Sequence, residues 1–178
     1  QLFTHAEAPK LDVNDLADGD LAVFIRLGSD YKNNYYEYEV PLKLTPHGEY
    51  NYNNSEHQKI VWPAENMLNF RLEILTDLKL ERNREKRSGT NGVSFQTVYS
   101  GRDPDNDGNT IRVKGNPSLS EVKTVMIGVR NVRNKLKSGE VWVNELRLTD
   151  FNEEGGWAAN ANLNVALSDL GTVNVGGR

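Results

Sequence analysis

The sequence predicts a mainly β protein: a jelly-roll-like sandwich with one packed helix and an amphipathic C-terminal β tail. Three observations predict it. Short runs rich in Val, Ile, Tyr and Phe recur along the chain, each bounded by Gly, Pro, Asn or Asp. A single stretch carries leucines at helical spacing. Near the C-terminus, aliphatic residues alternate with asparagine.

The elements follow in order. Leu21 to Leu27 is a β-rich run closed by Gly28-Ser29-Asp30, and Tyr36 to Val40 alternates aromatic or aliphatic residues with acids. Leu42 and Leu44 continue that period past Pro41, which suits an edge strand or a bulge because proline cannot donate to a ladder. Leu68, Leu72, Leu75 and Leu78 predict a helix over about 72–85, with an extended lead-in from Trp62-Pro63. Residues 86–92 read as an exposed loop. Val93 to Tyr99 reads as a strand ending in a turn at Ser100-Gly101, and Thr110–Lys114, Lys123–Val132 and Glu140–Thr149 complete the set. The last two are expected to pair antiparallel across the polar turn at Lys135, Lys137, Ser138 and Gly139. The sandwich is thus expected over residues 1–152 and the tail over 153–178.

In the tail, Ala161, Leu163, Val165 and Leu167 alternate with Asn160, Asn162 and Asn164, a turn follows at Ser168 to Gly171, and Thr172-Val173-Asn174-Val175 resumes. One aliphatic and one amide face is what a transmembrane barrel strand requires, and also what an ordinary amphipathic hairpin on a soluble core shows.

Composition narrows the function. The 178 residues carry 21 Lys+Arg against 25 Asp+Glu, a net charge of −4, so there is no basic excess for a nucleic-acid partner. No run approaches the ~18 apolar residues of a membrane helix. The absence of cysteine removes disulfides, cysteine nucleophiles and thiolate metal sites. The chain starts at Gln1 without a basic, then apolar, leader, which reads as a processed product or a piece of something longer. His5, His47 and His57 form no HExxH or i,i+4 pair, and no GxSxG, Walker A or GxGxxG is present, so the sequence reads as non-enzymatic.

Two constellations have binding chemistry. Tyr31, Tyr35, Tyr36, Tyr38 and Trp62, with Asn33, Asn34, Tyr50 and Tyr52 nearby, combine aromatic faces with amides, as a carbohydrate- or partner-binding surface does. Strand alternation alone would also produce them. Asp103, Asp105, Asp107 and Asn109, with Gly108, resemble the first half of a calcium loop, calcium being the one cofactor this sequence suggests. The EF-hand pattern closes on a glutamate where this chain has Lys114, and an Asp/Asn/Gly hairpin turn needs no metal.

Gly139-Glu140-Val141-Trp142-Val143-Asn144-Glu145-Leu146-Arg147-Leu148 resembles the closing strands of carbohydrate-binding jelly rolls. A wider resemblance rests on Phe24 to Tyr31, Asn34 to Glu39, Ile60 to Asn66, Leu78-Lys79 with Arg82-Asn83, Val113 to Leu119, Gly139 to Asp150 and Gly156 to Gly171. Together these resemble the SprA/Sov family, the outer-membrane translocon of the Bacteroidetes type IX secretion system, tied also to gliding motility. The resemblance implies a non-catalytic structural and interaction domain of a giant barrel. It implies as partners a PorV-like barrel, a plug protein and secreted cargo, and places the domain on the extracellular or periplasmic side of the outer membrane. It brings no catalytic residues. The alternative is a carbohydrate-binding module of a cell-surface protein.

Overall fold

The computed structural model describes residues 1–10, 15–133 and 135–149, and the backbone of 161–167 and 171–177. The chain divides into two compact units, Gln1–Arg147 and Leu148–Arg178. The architecture is mainly β, as the sequence predicts. In the first unit, strands β1 (Phe3–Glu7), β2 (Leu21–Gly28), β3 (Tyr35–Pro41), β4 (Tyr99–Asp103), β5 (Asn106–Lys114), β6 (Thr124–Asn131) and β7 (Glu140–Asn144) accompany helices α1 (Ser55–Val61) and α2 (Glu73–Arg87). Five strands form an antiparallel sheet in the order β4-β5-β3-β2-β6, and β1 pairs with β7 in a separate ribbon.

Alternation builds the core. Val23 and Ile25 of β2, Tyr36, Tyr38 and Val40 of β3, and Ile111 and Val113 of β5 lie in register on one sheet face. They join Leu2 and Ala6 from the β1 end and Ile74, Leu75 and Leu78 of α2 in one buried cluster. Each such large side chain contributes ~1.5–3 kcal/mol on burial. The second layer of the sandwich is therefore the β1–β7 ribbon together with α2. Helix α2 comes close because β4 has Gly101 beneath it: a Cβ there would lie 2.7 Å from the Leu78 Cδ1 atom. Glu73 in its first turn and Arg84, Lys86 and Arg87 in its last suit the helix dipole, and Gly89 at φ 78° follows its end.

The structure corrects several expectations. The strands over 123–132 and 140–149 are not partners: β6 pairs with β2 from Leu21↔Asn131 to Gly28↔Thr124, and β7 pairs with β1. The connection between them is pinned instead to Asp20. Its carboxylate accepts from Arg133 Nε at 2.9 Å and lies 2.8 Å from Lys137 Nζ, while its carbonyl accepts the Val132 N–H at 2.9 Å. Bonds from Lys137 and Arg133 hold the Asp20 carboxyl far below the usual carboxylate range. Strand β7 also stops at Asn144, because Glu145 takes φ 52°.

Residues 93–98 are not a strand. Ser94 and Thr97 tie that segment to itself with side chain to main chain bonds of 3.1–3.2 Å, and such bonds compete with a ladder. Ser100 and Gly101 lie inside β4, and the chain turns at Pro104-Asp105. Pro41 is the last residue of an interior strand, beyond Glu39↔Thr110 where pairing with β5 ends, so its missing donor costs nothing there. Helix α1 lies in what reads as irregular chain.

In the second unit, β8 (Ala161–Leu167) and β9 (Gly171–Gly177) pair antiparallel, with Leu163↔Val175, Asn164↔Asn174 and Val165↔Val173 in register. The turn expected at Ser168 to Leu170 lies outside the described residues, as does Asn160.

Candidate functional site

Strand β3 takes three of the five candidate aromatics out of solvent. Tyr36 and Tyr38 are in the core, where Tyr36 Oη donates to the Pro117 carbonyl at 3.0 Å. Tyr38 Oη donates to Asp103 Oδ2 at 2.6 Å and accepts from Asn109 Nδ2 at 2.7 Å, with its ring stacked on Phe70 at 4.0 Å. Burial and the Asp103 bond push the Tyr38 phenol well above its usual range. Tyr35 is buried on the other sheet face, its ring 4.2 Å beneath the Arg26 guanidinium. Tyr31 stays exposed on the β2–β3 hairpin. Asp30 braces that hairpin by accepting the Asn33 and Lys32 N–H groups at 2.6 and 2.8 Å, which lowers its pKa to about 2.

The acidic loop is committed to the fold. Asp103 is buried and spends Oδ2 on Tyr38 and Oδ1 on the Asp105 N–H at 2.9 Å, while Asp105 accepts from Arg71 Nη2 at 2.9 Å. Asn109 points inward to Tyr38, and Asp107 is exposed. Among the described residues no group of three His, Asp or Glu is placed to hold a metal ion.

The outer face of the five-stranded sheet holds two buried carboxylates under three arginines. Glu37 accepts from Arg26 Nε at 2.6 Å, Arg112 Nη1 at 2.6 Å and Arg130 Nη2 at 3.0 Å. Glu39 pairs with Arg112 at 2.8 Å and with Arg130. Burial alone would raise the Glu37 pKa, but the arginine bonds and charges outweigh it and hold the group ionised, below its ordinary value. No nucleophile or base with access to solvent belongs to this cluster. Its chemistry is cohesion.

Trp62 leads to a different place. It caps the C-terminal end of α1, with its N–H bonded to the Gln58 carbonyl at 2.8 Å. His5 of β1 holds that end: its Nδ1 lies 2.7 Å from the Val61 carbonyl, and its ring packs 5.8 Å from the Trp62 ring. Beside it opens a cleft of about 720 Å³ whose lining includes Phe3, Tyr50, Tyr52, Gln58, Trp62 and Asn144. The loop before α1 is cross-braced to the helix. Asn51 N donates to His57 Nδ1 at 2.9 Å, Gln58 Nε2 donates to the Tyr52 carbonyl at 2.6 Å, and Tyr50 meets His57 edge to face. Sequence reasoning listed Tyr50, Tyr52 and Trp62 but missed Phe3, Asn144 and α1 itself. The available signal for α1 was the N-cap Asn54, which accepts from the Glu56 N–H at 2.9 Å, and Pro63 just beyond the end.

Two strand edges complete the surface. Among the described residues β6 pairs only with β2, and β7 only with β1. Val125, Ile127 and Val129 on β6 and Trp142 and Val143 on β7 remain exposed. No helix among the described residues is long and apolar enough to cross a membrane.

Compared with known proteins, residues 1–178 match the model of the SprA_N family, described as motility related/secretion protein. No curated protein matches the chain.

Proposed function

The chain belongs to the SprA_N family of motility related/secretion proteins, and we propose on that premise that it is a non-catalytic structural and interaction domain of a large outer-membrane translocon. In this reading the parent protein serves type IX secretion and gliding motility, and the domain sits on the extracellular or periplasmic side. The observation that carries the reading is the pair of open apolar edges. Val125, Ile127 and Val129 continue the buried sheet face outward on β6, and Trp142 and Val143 stay exposed on β7. Open edges with exposed apolar side chains are docking or aggregation surfaces unless something pairs with them. Within a translocon the natural occupants are other segments of the parent chain, a PorV-like barrel partner, the plug protein or extended cargo. The two buried carboxylates of the five-stranded sheet, Glu37 and Glu39, are committed to arginine partners.

In-frame removal of these residues from the parent gene tests the reading. Cargo should accumulate inside the envelope while the parent protein still reaches the outer-membrane fraction. Export at the parental rate from such a strain would sink it.

A further inference from the structure

We propose that the cleft between α1 and the β1–β7 ribbon binds an uncharged oligosaccharide, stacked on Tyr52 and Trp62 and hydrogen-bonded by surrounding side chains. The inference goes beyond the translocon reading and stands or falls without it.

Four observations carry it. First, the cleft is roomy enough for a short glycan: its volume of about 720 Å³ falls in the range of small-molecule sites. Second, Tyr52 is 82% exposed on a loop whose main chain is held by side chains of α1, through the Tyr52 carbonyl and Asn51 N. A solvent-facing ring on a braced loop offers an open aromatic face for stacking. Third, the polar groups left over are of the right kind. Among the described residues the Ser55 hydroxyl, Tyr52 hydroxyl, Trp62 indole N–H and Asn144 amide have no hydrogen-bond partner, and all four line the cleft. By contrast, several main-chain groups on the α1 side of the cleft are already bonded, namely Asn51 N, the Tyr52 and Val61 carbonyls and Trp62 N. That favours hydroxyl-bearing rings over an extended peptide, which would need free main-chain groups. Fourth, the one lysine in the lining, Lys59, pairs with Glu56 at 2.8 Å, so a carboxylate offsets its charge beside the cleft.

The test is calorimetric and fluorimetric titration of the 178-residue chain with cellohexaose and with chitohexaose, whose flat β-linked rings suit aromatic stacking. Binding of one of them is expected, with quenching of tryptophan emission. Tyr52→Ala should weaken it about tenfold without lowering the melting temperature, since stacking contacts of this kind contribute roughly that factor. Replacing exposed Leu136 by alanine, outside the cleft, should change nothing. No heat and no quenching with either glycan overturns the proposal. So does binding that survives Tyr52→Ala, binding lost instead in Tyr31→Ala, or uptake of a tryptophan-bearing extended peptide where both glycans fail.

Discussion

The two faces of strand β3 are buried equally well by opposite means. Tyr36, Tyr38 and Val40 face the core, and among them Tyr38 stacks on Phe70 ahead of α2. Glu37 and Glu39 face the other way and are also buried, roofed by Arg26, Arg112 and Arg130. Phe24 and Tyr35 support that roof, with guanidinium carbons 4.7 Å (Arg130) and 4.2 Å (Arg26) from their ring centres. Arginine stems cover apolar surface while the heads satisfy the carboxylates. A sheet face can thus be closed by long charged side chains where no second layer covers it. The inner face gains from area, while the outer face roughly breaks even, and only as long as every charge keeps its partner.

Breaking the inner face should cost most. Tyr38→Ala removes a ring from the core and strands Asp103 and Asn109, which the phenol now joins, so a loss of about 4–5 kcal/mol is expected in urea unfolding. A loss below 1 kcal/mol would mean the ring does not organise the core. Next comes Glu37→Gln, which leaves three guanidinium groups facing a neutral amide and should cost about 3 kcal/mol at pH 7. The pH dependence separates the faces further. Glu37 has a folded pKa depressed below its ordinary 4.5, so its contribution is full above that value and is lost as pH falls toward the folded value. The stability gap between wild type and Glu37→Gln should therefore narrow as pH falls below ~5, whereas the gap from the apolar inner-face change Val40→Ala should not. A Glu37→Gln gap that stayed constant over that range would assign the loss to shape rather than charge.

Much of the inner face was legible, because strand alternation reports it directly. The runs that became β2, β3, β5 and β6 and the leucine spacing of α2 all read from local pattern. The outer face was not. Glu37 and Glu39 look like solvent-facing positions of an alternating strand, and the partners of Glu37 lie 11, 75 and 93 residues away in three other strands. Pairing failed for the same reason: β6 and β7 are neighbours in sequence, yet β7 closes on β1 at the far end of the chain. Burial of Tyr36 and Tyr38 likewise follows from which face the helix covers, so the aromatic list could not separate core rings from the cleft ring Tyr52. Helix α1 was hidden because it buries no residue and so carries no apolar period.

A smaller effect probes how tightly α2 lies on the inner face. Gly101→Ala would put a methyl group 2.7 Å from the Leu78 Cδ1 atom and 3.7 Å from Ile111 Cγ1. The far end of Leu78 can rotate away, so the expected loss is about 1–2 kcal/mol, against none at open Gly19 for space alone. Double-mutant analysis with Leu78→Ala should recover most of that loss, and strict additivity would show that the glycine serves something other than helix approach.

The smallest effect compares two isoleucines on the same sheet face. Ile111 of β5 is 4% exposed beneath α2, and Ile127 of β6 is 38% exposed where the cover runs out. Both side chains have the same chemistry and both extend one hydrophobic surface through Tyr38 and Ile25. Ile→Val at 111 should cost about 1 kcal/mol, because the packed site cannot collapse around the missing methylene. At 127 the same change should stay within about 0.5 kcal/mol, because water already reaches the group. Equal losses at both positions would mean that the β6 stripe is covered in the isolated chain by self-association. Running the unfolding at two protein concentrations checks that, since association makes the midpoint concentration-dependent. An unequal pair would instead leave the β6 stripe as apolar surface held in reserve, with little stability at stake and therefore free to serve a partner.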